Sequence, residues 1–452
     1  VPGAAAVGAA AASAASGAPQ FVCFLCRRKF ATADALSRHE RLSELHRRNL
    51  EQQDDLVRRH QQEILGGVAG LRQQLGEVVA AEGDNGGRRA ALEGQLRQLL
   101  GEYAMAQEMI EYSRGVREGG AASAPKRPSS HEVRVGQLVL DLGATCWQGG
   151  KEVQEDRFFV DLTLKAPGGQ SVAGFCVFDG HSGSRCVEEL MDRFPGQLQA
   201  CLSAKPALTE EHLGQAVVEA CALADREFLA RARQSELMDG STMILGVLFP
   251  ERSPRPPRQP GSCKLLIANI GDSRAVLCRA VAAGKNTQPA AQSQLNALRL
   301  SDDHKPNRPD EQRRIQAKGG VVEHHGVWRV FVPAPVSFGG RSLARWGLAV
   351  SRAFGDLLSK EPENFGCPSV TPGGLVIAEP ELQWAEIDPA SDRFLILACD
   401  GIWDVLRDED AVAVCARQAG AALASHALVR HAFAAGSADN LTALVCAWRP
   451  AE

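Results

Sequence analysis

The feature that most constrains this chain is an apolar run that stops on a carboxylate, and it recurs. "GFCVFDGHSG" (174–183) is hydrophobic up to Asp179 and continues through Gly180 and His181. "RFLILACDGIWDVL" does the same at Asp400, with Asp404 in the turn that follows. "KLLIANIGDSRAVL" sets Asp272 between two apolar stretches, and "GSADNLTALVCAW" puts Asp439 and Asn440 just ahead of one. Short apolar runs bounded by turn residues predict buried strands. A single Asp-Gly at a strand end is explained as a turn, because Asp bonds nearby backbone and Gly accepts positive φ. Several such carboxylates at core strand ends need more, since a buried anion is costly until a cation neutralises it. The economical expectation is a shared metal site.

The rest of the chain sets bounds on that site. At 452 residues, with 44% hydrophobic and 23% charged residues, the chain is expected to hold two or three units with a sizeable core. A net charge of −4 argues against bulk attraction to nucleic acid or membrane. No apolar stretch approaches the roughly 20 residues that span a bilayer, so no membrane partner is expected. Most of the 13 cysteines stand singly in apolar segments, as reduced thiols do, which points to a cytoplasmic or nuclear protein. Residues 1–20 are rich in Ala and Gly without a basic leader and are expected to be a low-complexity tail rather than a signal peptide.

One cysteine pair differs. Cys23, Cys26, His39 and His46 have the spacing C-x2-C-x12-H-x6-H, which can present two thiolates and two imidazoles to one Zn²⁺. The long gap sets the histidines about 10 Å apart on a straight helix, so the helix must bend between them. The stretch resembles the single two-Cys-two-His finger of RNA-binding-motif splicing proteins, which implies a zinc finger over 21–50. Its basic residues, among them Arg27, Arg28, Lys29 and Arg38, suit RNA, while the interspersed acids Asp34, Glu40 and Glu44 suit a protein contact equally. Over 51–114, Val57, Ile64, Val68, Leu71, Leu75 and Val78 follow a heptad seam, which predicts a helical hairpin or a self-associating coiled coil. Residues 115–131 read as a linker.

From 132 to 449 the acid-bearing motifs come in a definite order: "GGKEVQEDRFF", "FDGHSG", "DGSTM", "IGDSRAVL", "DDHKP", "LAVSRAFGD", "LACDGIWDV", "SADN". This series resembles the metal-dependent type 2C Ser/Thr protein phosphatases. The resemblance implies an α+β fold, a β-sandwich of two antiparallel sheets flanked by helices, with strand-end carboxylates holding two Mn²⁺ or Mg²⁺ ions. By motif, Asp179 would bridge both ions and Gly180 would offer its carbonyl. Asp400 and Asp439 would complete one ion's ligands, and Glu155 and Asp156 would serve the other. Asp272 and Asp404 match positions for a weaker third ion. His181 would be the general acid for a serine leaving group, and phosphoproteins the substrates.

Oxygen donors of this kind suit hard divalent cations, and two such ions can activate water and offset phosphoryl charge. No cysteine lies in a phosphate-cradling loop, which counts against a cysteine phosphatase. Three departures stand out. Lys151 occupies the place where the family usually has an Arg for the substrate phosphate, and a point charge lacks the bidentate fork. Ala438 replaces an Arg, and residues 331–347 enlarge a loop. Asp356 is expected to support the site structurally. The alternative function is a catalytically dead phosphatase-like scaffold within an RNA- or protein-binding adaptor; the full set of carboxylates argues for the enzyme.

Overall fold

In the computed structural model, the structure describes residues 129–250, 263–281 and 294–451, the backbone of 21–23 and 28–30, and scattered positions between 62 and 95. The chain divides into two units, residues 1–124 and 125–452.

Of the first unit, Phe21–Cys23 and Arg28–Phe30 form an antiparallel hairpin with Cys23 opposite Arg28. Cys26, His39 and His46 lie outside the described residues, as does the side chain of Cys23. Residues 65–75 are helical, and the seam positions Val68 and Val78 are buried, as is Leu92. The remainder of the expected coiled coil, residues 115–128 of the expected linker, and residues 251–262 and 282–293 also lie outside them, while Ser129–His131, the end of that linker, open the first strand of the second unit.

The second unit is built on two antiparallel sheets, with strands numbered here along the chain. One sheet joins β1 (Ser129–Val135), β2 (Leu138–Trp147), β9 (Arg274–Val281), β10 (Gln294–Arg299), β13 (Asp392–Ala398) and β14 (Leu441–Pro450), in the spatial order β10-β9-β13-β14-β2-β1. The other joins β3 (Arg157–Lys165), β4 (Ser171–Phe178), β7 (Met243–Pro250), β8 (Cys263–Ile270) and β12 (Glu381–Ile387), in the order β12-β8-β7-β4-β3. Strand side chains alternate between faces. Leu138, Leu140 and Leu142 of β2 accordingly share one buried cluster with Phe175 and Val177 of β4. The runs read as buried strands are therefore the facing walls of one core, as expected when both faces of a sheet are covered.

Helices close the outer faces. α1 (Arg185–Ser203) and α2 (Glu210–Ser235) cover the β3–β4–β7 side through Phe194, Leu198, Val217 and Phe228. The start of α2 is fixed by Thr209, whose hydroxyl accepts the His212 N–H at 3.1 Å. It ends where Glu236 turns left-handed at φ 53°. On the other side, α6 (Asp408–Cys415) and α7 (Ala421–Ala434) cover β13 and β14 through Val412, Leu428 and Val429.

Between β10 and β12 the chain forms α3 (Pro309–Ala317), a hairpin (Val321–His325 with Val327–Phe331), a second hairpin (Val336–Phe338 with Arg341–Leu343) and α4 (Leu357–Lys360). The enlarged loop of 331–347 is thus largely the second hairpin. Three two-residue strands, β5 (Gly180–His181), β6 (Gly240–Ser241) and β11 (Phe354–Gly355), pair at the end of β4 and place the site. Among the described residues no helix is long and apolar enough to cross a membrane.

Candidate metal centre

Each candidate carboxylate sits at a strand end or in the turn beside it. Asp179 follows β4, Asp272 lies in the β8–β9 turn, Asp400 opens the short helix α5 (Asp400–Trp403) after β13, and Glu155 and Asp156 precede β3. Asp439 stands two residues before β14. Because the strands share one sandwich, these ends converge. Carboxylate oxygens of Asp179, Asp272 and Asp400 lie within 4.8 Å of one another, and Asp179 also meets Asp156 and the Cys399 thiol within 4.8 Å. Asp179 is common to both groups. Glu155, Asp439 and Asp404 are not in either group; Asp404 is exposed at the end of α5.

The electrostatics are those of anions short of countercharge. Burial pushes Asp179 and Asp400 well above the usual carboxylate range, and the neighbouring aspartates push the same way. Burial takes Asp156 up to about 6, with Asp439 adding to it. Asp156 is 1% exposed, and neither of its carboxylate oxygens has a partner in hydrogen-bond geometry, although Thr442, Cys399 and Asp179 stand close enough to offset part of the rise. Two lysines offset part of the charge. Lys305 Nζ is 2.5 Å from Asp272, and Lys151 Nζ is 2.8 Å from Asp439. Buried oxygens without partners among converging carboxylates are the donor set that a hard divalent cation satisfies. Cys399, which the sequence reading did not include, is held by the Thr442 N–H at 3.1 Å. Burial raises its thiol well above the ordinary value, which marks it as a neutral packing group.

Backbone contacts hold the ligand loops in place. Asn440 Oδ1 accepts the Glu155 N–H at 2.9 Å, while its Nδ2 donates to the carbonyls of Gln148 and Val153, both at 2.9 Å. One side chain thus ties the loop carrying Lys151 and Glu155 to the start of β14. Gly149 makes the approach possible: at φ +60°, a Cβ there would stand 2.0 Å from the Asp439 carbonyl. Glu155 Oε1 accepts the Gly183 N–H at 2.7 Å, which brings it to the turn after Gly180 and His181.

His181 is fixed by a residue that the sequence reading assigned only to structural support. Its Nε2 lies 2.8 Å from Oδ2 of Asp356, which is fully buried. Asp356 adopts φ 54° and ψ 49° ahead of α4, a left-handed conformation uncommon outside Gly, which Asn and Asp enter more readily than other residues. Gly240 leaves room for the pair, since a Cβ there would meet His181 Nε2 at 2.3 Å and Asp356 Oδ2 at 2.4 Å. Burial works to lower the His181 pKa, but the charge and hydrogen bond of Asp356 outweigh it and hold the imidazole above its ordinary value.

The comparisons with known proteins point the same way. The protein phosphatase 2C family pattern matches residues 140–441, and a domain of unknown function (DUF7066) matches residues 15–62. A probable protein phosphatase 2C 76 of Arabidopsis thaliana is 36% identical over 310 residues, 69% of this chain and 59% of that protein. A probable protein phosphatase 2C 52 of Oryza sativa subsp. japonica is 35% identical over 306 residues, 68% of this chain and 50% of that protein. The chain therefore spans about half to three fifths of these relatives. Among solved structures, a serine-threonine phosphatase 2C from Toxoplasma gondii aligns with a TM-score of 0.51 and 24% identity, over 71% of this chain and all of that one. A C. elegans sex determining protein aligns at 0.50 and 20%, over 81% of this chain and 74% of that one; both likenesses establish the fold. With two thirds of its length matched in sequence and its strand-end carboxylates converging as described, the chain belongs to the protein phosphatase 2C family.

Proposed function

We propose that the second unit is a protein serine/threonine phosphatase that hydrolyses phosphoserine and phosphothreonine at a dinuclear Mn²⁺ or Mg²⁺ centre. The observation that carries this reading is the pair of unpartnered, buried Asp156 oxygens beside the converging Asp179, Asp272 and Asp400 carboxylates. Asp179 belongs to both groups and would bridge the ions, with the Gly180 carbonyl beside it. Asp400 and Asp439 would serve one ion, Glu155 and Asp156 the other, and Asp272 and Asp404 a weaker third. When bound, such ions acidify water and offset charge on a phosphoryl group.

The remaining roles belong to the chain. Lys151 orients the substrate phosphate as a point charge, exchanging Asp439 for the phosphate as it does so. His181 gives its proton to the departing seryl or threonyl oxygen. With Nε2 engaged by Asp356, Nδ1 is the nitrogen left for that transfer. The test is Mn²⁺-dependent phosphate release from a phosphothreonine peptide. Turnover that is lost in Asp179→Asn and in Asp400→Asn supports the reading, and no turnover at any Mn²⁺ or Mg²⁺ concentration overturns it.

For the first unit, we infer a zinc finger over 21–50 that uses Cys23, Cys26, His39 and His46, a helical segment over 51–114 capable of self-association, and a linker before the phosphatase. The finger would bring the enzyme to an RNA or protein partner. One equivalent of Zn²⁺ per chain, lost in Cys23→Ser, supports it; a metal-free, folded finger overturns it. Cys176, Cys186, Cys221, Cys263, Cys278, Cys399, Cys415 and Cys446 are buried thiols, and we read the chain as belonging to a reducing compartment, cytoplasmic or nuclear.

A further inference from the structure

Away from the metal centre, a cavity of about 600 Å³ lies between the second half of α2 and the chain running from α4 to residue 378. One wall is apolar, formed by Leu229 with Val376, Ile377 and Ala378. The charged lining residues mostly cancel. Lys360 Nζ lies 2.5 Å from Asp225 Oδ1, and Arg233 Nε donates to Glu361 at 2.8 Å. Glu363 remains: it lines the same cavity, and its Oε2 is buried with no hydrogen-bond partner. A carboxylate with a buried, unsatisfied oxygen beside an aliphatic wall fits a cation carried on an alkyl chain, since the ammonium would supply the missing donor and the alkyl chain would cover the wall.

The cavity also touches the support of the active site. Asp225 Oδ1 accepts the Gly355 N–H at 2.8 Å as well as the Lys360 ammonium. Gly355 immediately precedes Asp356, the residue that holds His181. A second cation placed here competes with Lys360 for the aspartate that pins this turn.

We propose that this cavity is a regulatory site for an alkylammonium group, either a lysine side chain of a bound peptide or a free amine, read out through Asp225 and the Gly355–Asp356 turn. This regulatory role rests on the phosphatase reading; the binding itself does not. The test follows the Ile377 methyl resonance of the full-length protein during titration with n-butylammonium chloride, and separately with Nα-acetyl-lysine-methylamide. The expected result is a saturable shift with at least one of them, weakened at least tenfold in Glu363→Gln and lost in Ala378→Trp, which fills the cavity. Saturation by the amine alone identifies a free ligand, and saturation by the lysine derivative identifies a peptide. A linear, unsaturating shift overturns the site, as does equal affinity in wild type and both variants, or equal binding of butyrate. In parallel, saturating ligand changes kcat for a phosphothreonine peptide at least twofold with KM unmoved; an unchanged kcat overturns the regulatory role. Because the titration needs no turnover, failure of the site and failure of the phosphatase reading remain distinguishable.

Discussion

His181 and Asp356 are 175 residues apart in the chain and 2.8 Å apart in space. A carboxylate that holds an imidazolium in place matters most when the leaving group needs a proton. Asp356→Asn is therefore expected to lower kcat on a phosphothreonine peptide about 10²-fold. The loss on p-nitrophenyl phosphate, whose phenolate leaves unaided, should be much smaller, and the Mn²⁺ requirement should not move; equal losses on both substrates would reduce Asp356 to a packing role. His304 supports the site differently. It is fully buried, its Nδ1 accepts the Gly271 N–H at 3.0 Å next to Asp272, and its Nε2 faces Glu381 at 2.9 Å. Burial lowers its pKa, and the cations Arg352 and Arg308 add to this against Glu381. A histidine depressed in the fold takes up its proton more readily when unfolded, so its contribution is complete above about pH 6.5 and falls away as the pH drops below that. Thermal melts from pH 8 to 5 are expected to decline below pH 6.5, and His304→Asn, which keeps an acceptor for Gly271, should flatten that decline.

At the scale of elements, the loop 148–155 depends on β14 more than on itself. Asn440 makes three bonds to it and is 4% exposed. Asn440→Ala leaves buried backbone groups unpaired, a cost of about 1–3 kcal/mol, and frees the segment that carries Lys151, Glu155 and Asp156. The expected signature is a several-fold rise in the Mn²⁺ concentration for half-maximal activity with a smaller change in kcat, measured by metal titration of phosphate release. This is also where sequence reading meets its limit. Strand ends at Asp179, Asp272, Asp400 and Asp439 were legible because an apolar run that stops on an acid is a local pattern. The pairing of Lys305 with Asp272 and of Asp356 with His181 was not, since both depend on which strand ends the topology brings together. Lys305 lay within the quoted "DDHKP" motif, yet nothing local assigned it a partner. The left-handed backbone of Asp356 also left no local mark, because Asp enters that region only occasionally and its presence alone does not signal positive φ.

For the second unit as a whole, burial of the uncompensated carboxylate cluster opposes folding, and cations at the proposed centre would relieve it. Chelation is expected to lower the melting temperature, and Mn²⁺ or Mg²⁺ to raise it in a concentration-dependent way. Binding at one hundred times Kd corresponds to about 2.7 kcal/mol, read by calorimetry with and without EDTA; identical melts would mean that the acids hold no ion. The same sandwich places β14, the last described strand, between β13 and β2 near the middle of its sheet, rather than at an edge. A protein emerging from the ribosome presents β2 long before β14 exists, so the first two strands must wait for a neighbour made some three hundred residues later. Until then the loop of Lys151 and Glu155 has no Asn440 to close on. A chain cut short before β14 is therefore expected to lack the closed loop, and with it any activity that the proposed site supports.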